Sequence, residues 1–260
     1  MVSEFIASLI LAFIQGATEW LPISSSGHLV LAHYLLGFTE AGIEFDIALH
    51  FGTLMAVFVY FGQDIIDILR DLLTGKWKSE KGRLGILIII ATIPVALVGF
   101  ALRKLFEETY YSLPLAAVGF AITGIVLLIG SLELKKKKGK FGVKESLFIG
   151  CAQVLALVPS ISRSGMTISS GLLAGLKEKD AIRFSFLMSI PAIIGANILE
   201  LGNQNIPTSM LLPTIVSFVV GLITIHLLFG YALGSRKNLR WFALYTLLLA
   251  LAMGIWLIFW

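Results

Sequence analysis

Two short polar segments interrupt an otherwise apolar chain: Gln15 to His28 (Gln-Gly-Ala-Thr-Glu-Trp-Leu-Pro-Ile-Ser-Ser-Ser-Gly-His) and Gln153 to Gly165 (Gln-Val-Leu-Ala-Leu-Val-Pro-Ser-Ile-Ser-Arg-Ser-Gly). A constant offset of 138 pairs Gln15 with Gln153, Ile23 with Ile161, Ser24 with Ser162, Ser26 with Ser164 and Gly27 with Gly165, while Pro22 and Pro159 miss that register by one. Polar and ionisable groups are expensive in lipid, so such segments mark candidate sites. Gln15 and Glu19 are four apart and share one helix face. Pro22 ends that helix, because the residue before a proline avoids the α region. Ser24, Ser25 and Ser26 are candidate N-caps for the next helix, whose free N–H groups and positive dipole end suit an anion. His28 falls in its first turn. The second segment repeats the cap with Ser162 and Ser164, adds Arg163 and places Thr167 one turn on.

This set of groups suits a phosphate or diphosphate, since the planar guanidinium of Arg163 matches phosphate oxygens bidentately. Glu19 can bind a hard cation such as Mg²⁺ or Ca²⁺, or act as a base tuned by apolar surroundings. One carboxylate is too few for a dedicated metal cage, so a metal is expected to arrive bridged by the phosphates of a substrate. His28 can attack phosphorus or protonate a leaving phosphate oxygen. Each group also has a plain structural use. Arg163 can simply pair with Glu19, and one of the three serines can merely satisfy backbone groups. His50, inside a span, either lines the cavity or is paired. His33 and His226 read as interfacial or packing residues. Asn197 and Glu200 read as water-facing, and Trp20, Trp241, Trp256 and Trp260 as belt or packing residues.

The elements that must position these groups are membrane-spanning helices. At 57% hydrophobic and 14% charged, the composition is incompatible with an ordinary soluble domain, which carries about 25% charged residues. Apolar runs long enough to span lie at 46–62, 84–102, 113–132, 183–201, 210–231 and 239–260. Segments 4–38 and 146–176 hold the two polar motifs and read as helix, break, helix. Their second arms, 26–38 and 165–176, are marginal or short for a membrane of roughly 30 Å, which favours re-entrant hairpins over full spans. The first segment lacks a basic n-region and an Ala-x-Ala site, so it is expected to be retained rather than cleaved. The single cysteine, Cys151, excludes an internal disulfide.

Loops 63–83, 133–145, 177–182 and 232–238, with the adjacent helix ends, carry 17 of the 20 basic residues; the far side has only Arg103 and Lys104, and Arg163 lies in the second hairpin. By the positive-inside rule that rich face is cytoplasmic and both termini lie outside. The run Lys135–Lys138 with Lys140 is then a topogenic loop, not a nucleic-acid patch. Each half has one plan, a hairpin followed by three spans: repeat 1–134 and repeat 135–260 of one integral membrane domain. Three is odd, so the halves run inverted. Phe51-x-x-Leu54-Met55 with Gly62 matches Phe184-x-x-Leu187-Met188 with Gly195 at an offset of 133, supporting the repeat. Inverted repeats with broken helices place their site near the midplane, where the two hairpin tips should converge. The expected fold class is an all-α polytopic membrane protein of two inverted-topology repeats.

At these residues the chain resembles the undecaprenyl-diphosphatase family, the bacitracin-resistance type of lipid pyrophosphatase, over essentially its whole length. The resemblance is carried by the Gln15-x-x-x-Glu19 motif running into Pro22-x-Ser24-Ser25-x-Gly27-His28, and by Pro159-x-x-Ser162-Arg163-Ser164-x-x-Thr167. It implies hydrolysis of undecaprenyl diphosphate to the monophosphate carrier and inorganic phosphate in a plasma membrane, with a divalent cation and a site open to the outer face. It further implies Glu19 as metal-linked or acid–base carboxylate, His28 with Ser24 or Ser25 at the reaction centre, and Ser162, Arg163, Ser164 and Thr167 as diphosphate binders; Gln15 and Ser26 border them. Three departures stand out. Gln15 replaces a common glutamate and leaves Glu19 alone. Ser26 replaces threonine. Ser160 replaces the glycine usual after the proline, so the second turn is expected to differ in backbone conformation.

A transporter of a polyprenyl phosphate lipid is the main rival, because paired re-entrant tips in inverted repeats are also transporter architecture. The type-2 phosphatidic-acid phosphatase class shares a Ser-Gly-His element, here Ser26-Gly27-His28. It also needs a histidine soon after Ser-Arg, and none follows Ser162-Arg163 before His226. Expected partners are the lipid diphosphate and the membrane, with no nucleic acid, and a homodimer is compatible with such a chain.

Overall fold

The computed structural model describes residues 3–38, 42–132, 141–201, 208–232 and 235–259; the lysine run 135–140 and the outermost residue, Trp260, lie outside them. Among the described residues the chain is all helix, with no strand. The first polar segment joins α1 (Glu4–Thr18) to α2 (Ser25–Leu36), and the second joins α8 (Val143–Val154) to α9 (Arg163–Leu173) through a single 3₁₀ turn, Leu155–Leu157. Both expected helix–break–helix segments are therefore present. Arms of 15, 12, 12 and 11 residues reach roughly 16–23 Å, less than the hydrocarbon core.

The six expected spans are helices: α3 (Gly42–Tyr60), α5 (Glu80–Ala101), α7 (Leu113–Gly130), α10 (Glu178–Leu201), α11 (Leu211–Leu227) and α12 (Leu239–Phe259). Five are long and apolar enough by themselves to cross a membrane, and α3 makes a sixth with the helix that follows it. That helix, α4 (Gly62–Leu73), departs from α3 at 78° and was expected to be loop. Its twelve residues separate into an apolar and a charged face, Ile65, Ile68 and Leu72 against Asp64, Asp67 and Asp71, the pattern of a helix suited to a membrane surface. A short helix, α6 (Arg103–Thr109), likewise occupies a stretch taken as a connection.

The chain is greasy outside and hydroxylated inside. Phe100, Leu97, Leu251 and Ile258 are exposed, whereas Thr53, Ser146, Ser169, Ser185, Ser189, Ser217 and Thr246 are fully buried. Lipid gives no hydrophobic drive between helices, so association rests on close approach and on hydroxyl hydrogen bonds. Helix α1 packs on α11 and α8 on α5 in this way. A Cβ on Gly16 would stand 2.8 Å from the Ser217 carbonyl oxygen, and one on Gly150 2.3 Å from that of Ala91; Ser146 bonds the Leu87 carbonyl beside it.

Basic residues stitch the ends of the bundle together on one face. Arg83 donates to the Phe141 carbonyl (2.6 Å), Arg236 to the Leu132 and Leu172 carbonyls (3.1 and 3.3 Å), and Asp64 on α4 holds both Arg183 and Lys81. Four loops distant in sequence thus share a face, as the charge pattern implies. Burial alone would raise the Asp64 pKa, but Arg183 and Lys81 outweigh it and hold the carboxyl below its ordinary value. A depressed folded-state pKa adds stability that is present above the unfolded value and lost as pH falls through the folded one. Asp64→Asn should therefore cost about 1–2 kcal/mol at neutral pH, after discounting for solvent screening. Thermal unfolding in detergent should show that difference shrinking as pH falls below about 4.

Candidate active site

Both breaks are built as helix starts. The Ser24 hydroxyl accepts from the Gly27 N–H (3.2 Å) and caps α2; its offset mate Ser162 accepts from the Gly165 N–H (3.0 Å) and caps α9. Ser24 and Ser160, the two non-glycine residues with positive φ among those described, both at +70°, sit at the two breaks. Strain of this kind persists only where the surroundings impose it. Ser160 occupies the left-handed region that favours glycine, so the second turn keeps a glycine's conformation where a different one was expected. Its side chain is fully buried and its hydroxyl finds no partner.

The two tips touch. The Ser160 N–H donates to Ser26 Oγ (3.2 Å), Ser164 Oγ donates to the Leu21 carbonyl (2.9 Å), and Arg163 Nη2 donates to Glu19 Oε1 (2.8 Å). A Cβ on Gly27 would stand 2.6 Å from the Phe120 ring and 3.0 Å from Ser160 Cβ, so the approach needs glycine there.

Glu19 is the hub. Besides Arg163 on Oε1, its Oε2 accepts from Ser25 Oγ and from Gln15 Nε2 (3.1 Å), and His50 Nε2 stands 3.6 Å away. Its surroundings are therefore polar, not apolar as expected. Arg163 lies over the buried Trp20 ring (5.4 Å to the centroid), and its Nη1 has no partner. His50 Nδ1–H donates to the Asp46 carbonyl (2.8 Å), and its Nε2 faces Glu19.

These groups line one cavity of about 670 Å³. Its polar end holds Glu19, Ser24, Ser25, Ser26, His50 and Arg163, with Ser162 and Ser164 beside them. An apolar arm runs from there between α5 and α10, past Val95, Phe100, Leu157 and Ile193. Arg103, Phe106 and Tyr110, opposite the basic face, complete the lining. Asn197, expected to face water, also lines the cavity with a buried, unpartnered Nδ2. The side chain of Glu200 lies outside the described residues.

Three expected site residues are not on the cavity wall. His28 turns away: Nδ1–H donates to the Ser24 carbonyl (2.6 Å), Nε2 accepts from the Tyr245 hydroxyl (2.7 Å), and the ring packs edge-on against Phe120. The N-cap carbonyl of α2, four residues back, and the Tyr245 hydroxyl hold the two ring nitrogens. Thr167 bonds the Arg163 carbonyl (2.8 Å) and Ser185 Oγ (2.6 Å) behind the tip. Gln15 stands behind Glu19. His50 was an open reading and Tyr245 had no signal, because neither lies in a motif and both reach the site region only through folding.

A divalent cation has no ready-made seat: among the described residues no three His, Cys, Asp or Glu side chains converge to hold one, and both Glu19 oxygens are engaged.

Fold and cavity together define a multi-pass helical membrane protein whose interior pairs one buried cation with helix N-termini and a greasy annex. The family model for bacitracin resistance protein BacA matches residues 8–252. Similar proteins named undecaprenyl-diphosphatase occur in Trichlorobacter lovleyi (42% identical, covering 88% of this chain and 89% of that one), Rubrobacter xylanophilus (40%; 95% and 96%) and Korarchaeum cryptofilum (39%; 96% and 98%). The chain belongs to the bacitracin resistance protein BacA family.

Because Ser160 carries glycine's backbone strain and an orphaned hydroxyl, Ser160→Gly should stabilise the protein by about 1 kcal/mol. Denaturant-induced unfolding in detergent measures it, and a loss of stability would contradict the strain.

Proposed function

We propose that the protein is a membrane-embedded phosphatase that converts undecaprenyl diphosphate to the monophosphate and inorganic phosphate, recycling the lipid carrier for cell-wall glycan synthesis. The single observation that carries the reading is one cavity joining a guanidinium-and-helix-N-terminus anion site to an apolar arm. A diphosphate fits the first and a polyprenyl chain the second. The relatives bear the matching name, and no feature of the cavity favours transport over hydrolysis.

In this reading the substrate takes Arg163 from Glu19. The freed carboxylate then serves as base to Ser25, whose hydroxyl already donates to it. Ser25 Oγ attacks the terminal phosphorus as its proton passes to Glu19. The bond to the bridging oxygen breaks, and the lipid monophosphate leaves with the helix N-termini and Arg163 bearing its charge. Water then attacks the phosphoserine, giving its proton to His50, and Glu19 returns the proton it holds to Ser25 Oγ as inorganic phosphate departs. A divalent cation would add Lewis-acid neutralisation of the diphosphate; it comes with the substrate, and no protein cage is assigned to it.

The finer architecture belongs to the same proposal. Repeats 1–134 and 135–260 run inverted, with support from mirrored packing: α1 on α11 answers α8 on α5, α3 on α11 answers α10 on α5, and α3–α10 and α7–α12 pair with their own mates. The termini lie outside, and the cavity opens to the outer face, since Arg103 and Tyr110 border it opposite the basic loops.

Purified protein with undecaprenyl diphosphate and Mg²⁺ or Ca²⁺ should release inorganic phosphate, and Arg163→Ala should lower turnover about 10²–10³-fold. Near-normal turnover in that variant would remove the anion-clamp role. His28 acts here through the backbone of Ser24. His28→Asn, whose amide can still donate to that carbonyl, should keep more activity than His28→Ala. Equal loss in both, with an altered pH profile, would make His28 the proton carrier instead.

A further inference from the structure

Gln153 and Gln15 are mates at the 138-residue offset, yet their surroundings differ. Gln15 Nε2 has two oxygens in reach, Glu19 Oε2 (3.1 Å) and Thr53 Oγ1 (3.5 Å). The position matching Glu19 is Leu157, and the position matching Thr53 at the offset of 133 is Phe186. Both polar partners have been replaced by apolar side chains while the glutamine stays. Gln153 is 1% exposed, and neither Oε1 nor Nε2 has a hydrogen-bond partner. Leaving such an amide unpartnered is costly. Gln153 also lines the cavity, on the stretch of wall it shares with Leu157 and Thr92 and in the same enclosure as Arg163.

We infer that the missing partner is the ligand: Gln153 is a substrate-contacting residue that binds the phosphate end of the lipid diphosphate. The amide offers two donor hydrogens and an acceptor oxygen, whereas Arg163 only donates. A phosphate carrying both P–O⁻ and P–OH satisfies both ends of the amide. Nε2 donates to the anionic oxygen and Oε1 accepts from the hydroxyl, and a side-chain rotation within its rotamer choices turns the group from the wall into the cavity. The pair Arg163 and Gln153 thus grips charge and protonation state together, which favours a terminal phosphate over a sulfate or a fully esterified headgroup. This inference rests on the diphosphatase reading above.

The test uses the full chain in detergent, with Gln153→Leu as an apolar near-isostere and Gln153→Glu as a variant that keeps shape but opposes the phosphate charge. Replacing an unpartnered buried amide by an apolar group is neutral or stabilising, so Gln153→Leu should unfold at or above the wild-type temperature. Its kcat/KM should fall about 30-fold, as expected for a lost hydrogen bond to a charged group. Inorganic phosphate should raise the unfolding temperature of wild type more than that of Gln153→Leu, and Gln153→Glu should raise KM. A Gln153→Leu protein of lowered stability would show that the amide has protein partners and overturn the inference. Unchanged kcat/KM in Gln153→Leu, or unchanged KM in Gln153→Glu, would overturn it as well. Wild-type protein that releases no phosphate would instead sink the diphosphatase reading, while the comparison of phosphate-induced thermal shifts would still judge Gln153.

Discussion

The fold turns on the ion pair of Arg163 with Glu19, the carboxylate buried and the guanidinium partly so, formed between two hairpin tips 144 residues apart in sequence. Taking either charge out of water is costly, and pairing offsets part of that cost. The pair therefore makes each hairpin a condition for the other. Around it the tips add hydrogen bonds that cross between the halves, Ser160 to Ser26 and Ser164 to Leu21. The same pair keeps the enclosure chemically quiet. The carboxylate and the guanidinium neutralise one another inside the enclosure.

The close approach has a structural cost that the sequence records in small residues. Gly27 admits the Phe120 ring and Ser160, and the serines at both breaks hold positive φ. Strain gathered at two facing turns, and little seen elsewhere among the described residues, matches tips whose geometry is set by function more than by local preference. The helix N-termini that cap themselves with Ser24 and Ser162 supply fixed positive potential at no ionisation cost. One arginine can then hold a multiply charged group without a second buried cation.

Much of this was legible from residue order because each signal was local. Proline, serine and glycine at the breaks predict the caps that Ser24 and Ser162 make, and the lysine and arginine distribution predicts which loops share a face. What escaped was tertiary in origin. His50 sits mid-helix in an apolar run, and only the packing of α3 against the first tip brings it to Glu19. His28 looked reactive from its neighbours, yet the carbonyl of Ser24, four residues back on the same helix, is the nearer acceptor. Helix α4 hides among loop charges: Ile65, Ile68 and Leu72 keep helical spacing, but Asp64, Asp67, Arg70 and Asp71 between them read as a connecting segment.

The repeat is most informative where it fails. At the 138-residue offset, Arg163 is the mate of Ser25, and Glu19 is the mate of Leu157. One carboxylate thus touches two mates at once, Arg163 on Oε1 and Ser25 on Oε2, from a position that has lost its own counterpart. The matched positions thus differ in chemistry, a guanidinium in one tip and a hydroxyl in the other, with the carboxylate between them. The spans are constrained by the need to cover one another in lipid, whereas at the tips the matched positions carry different and complementary side chains.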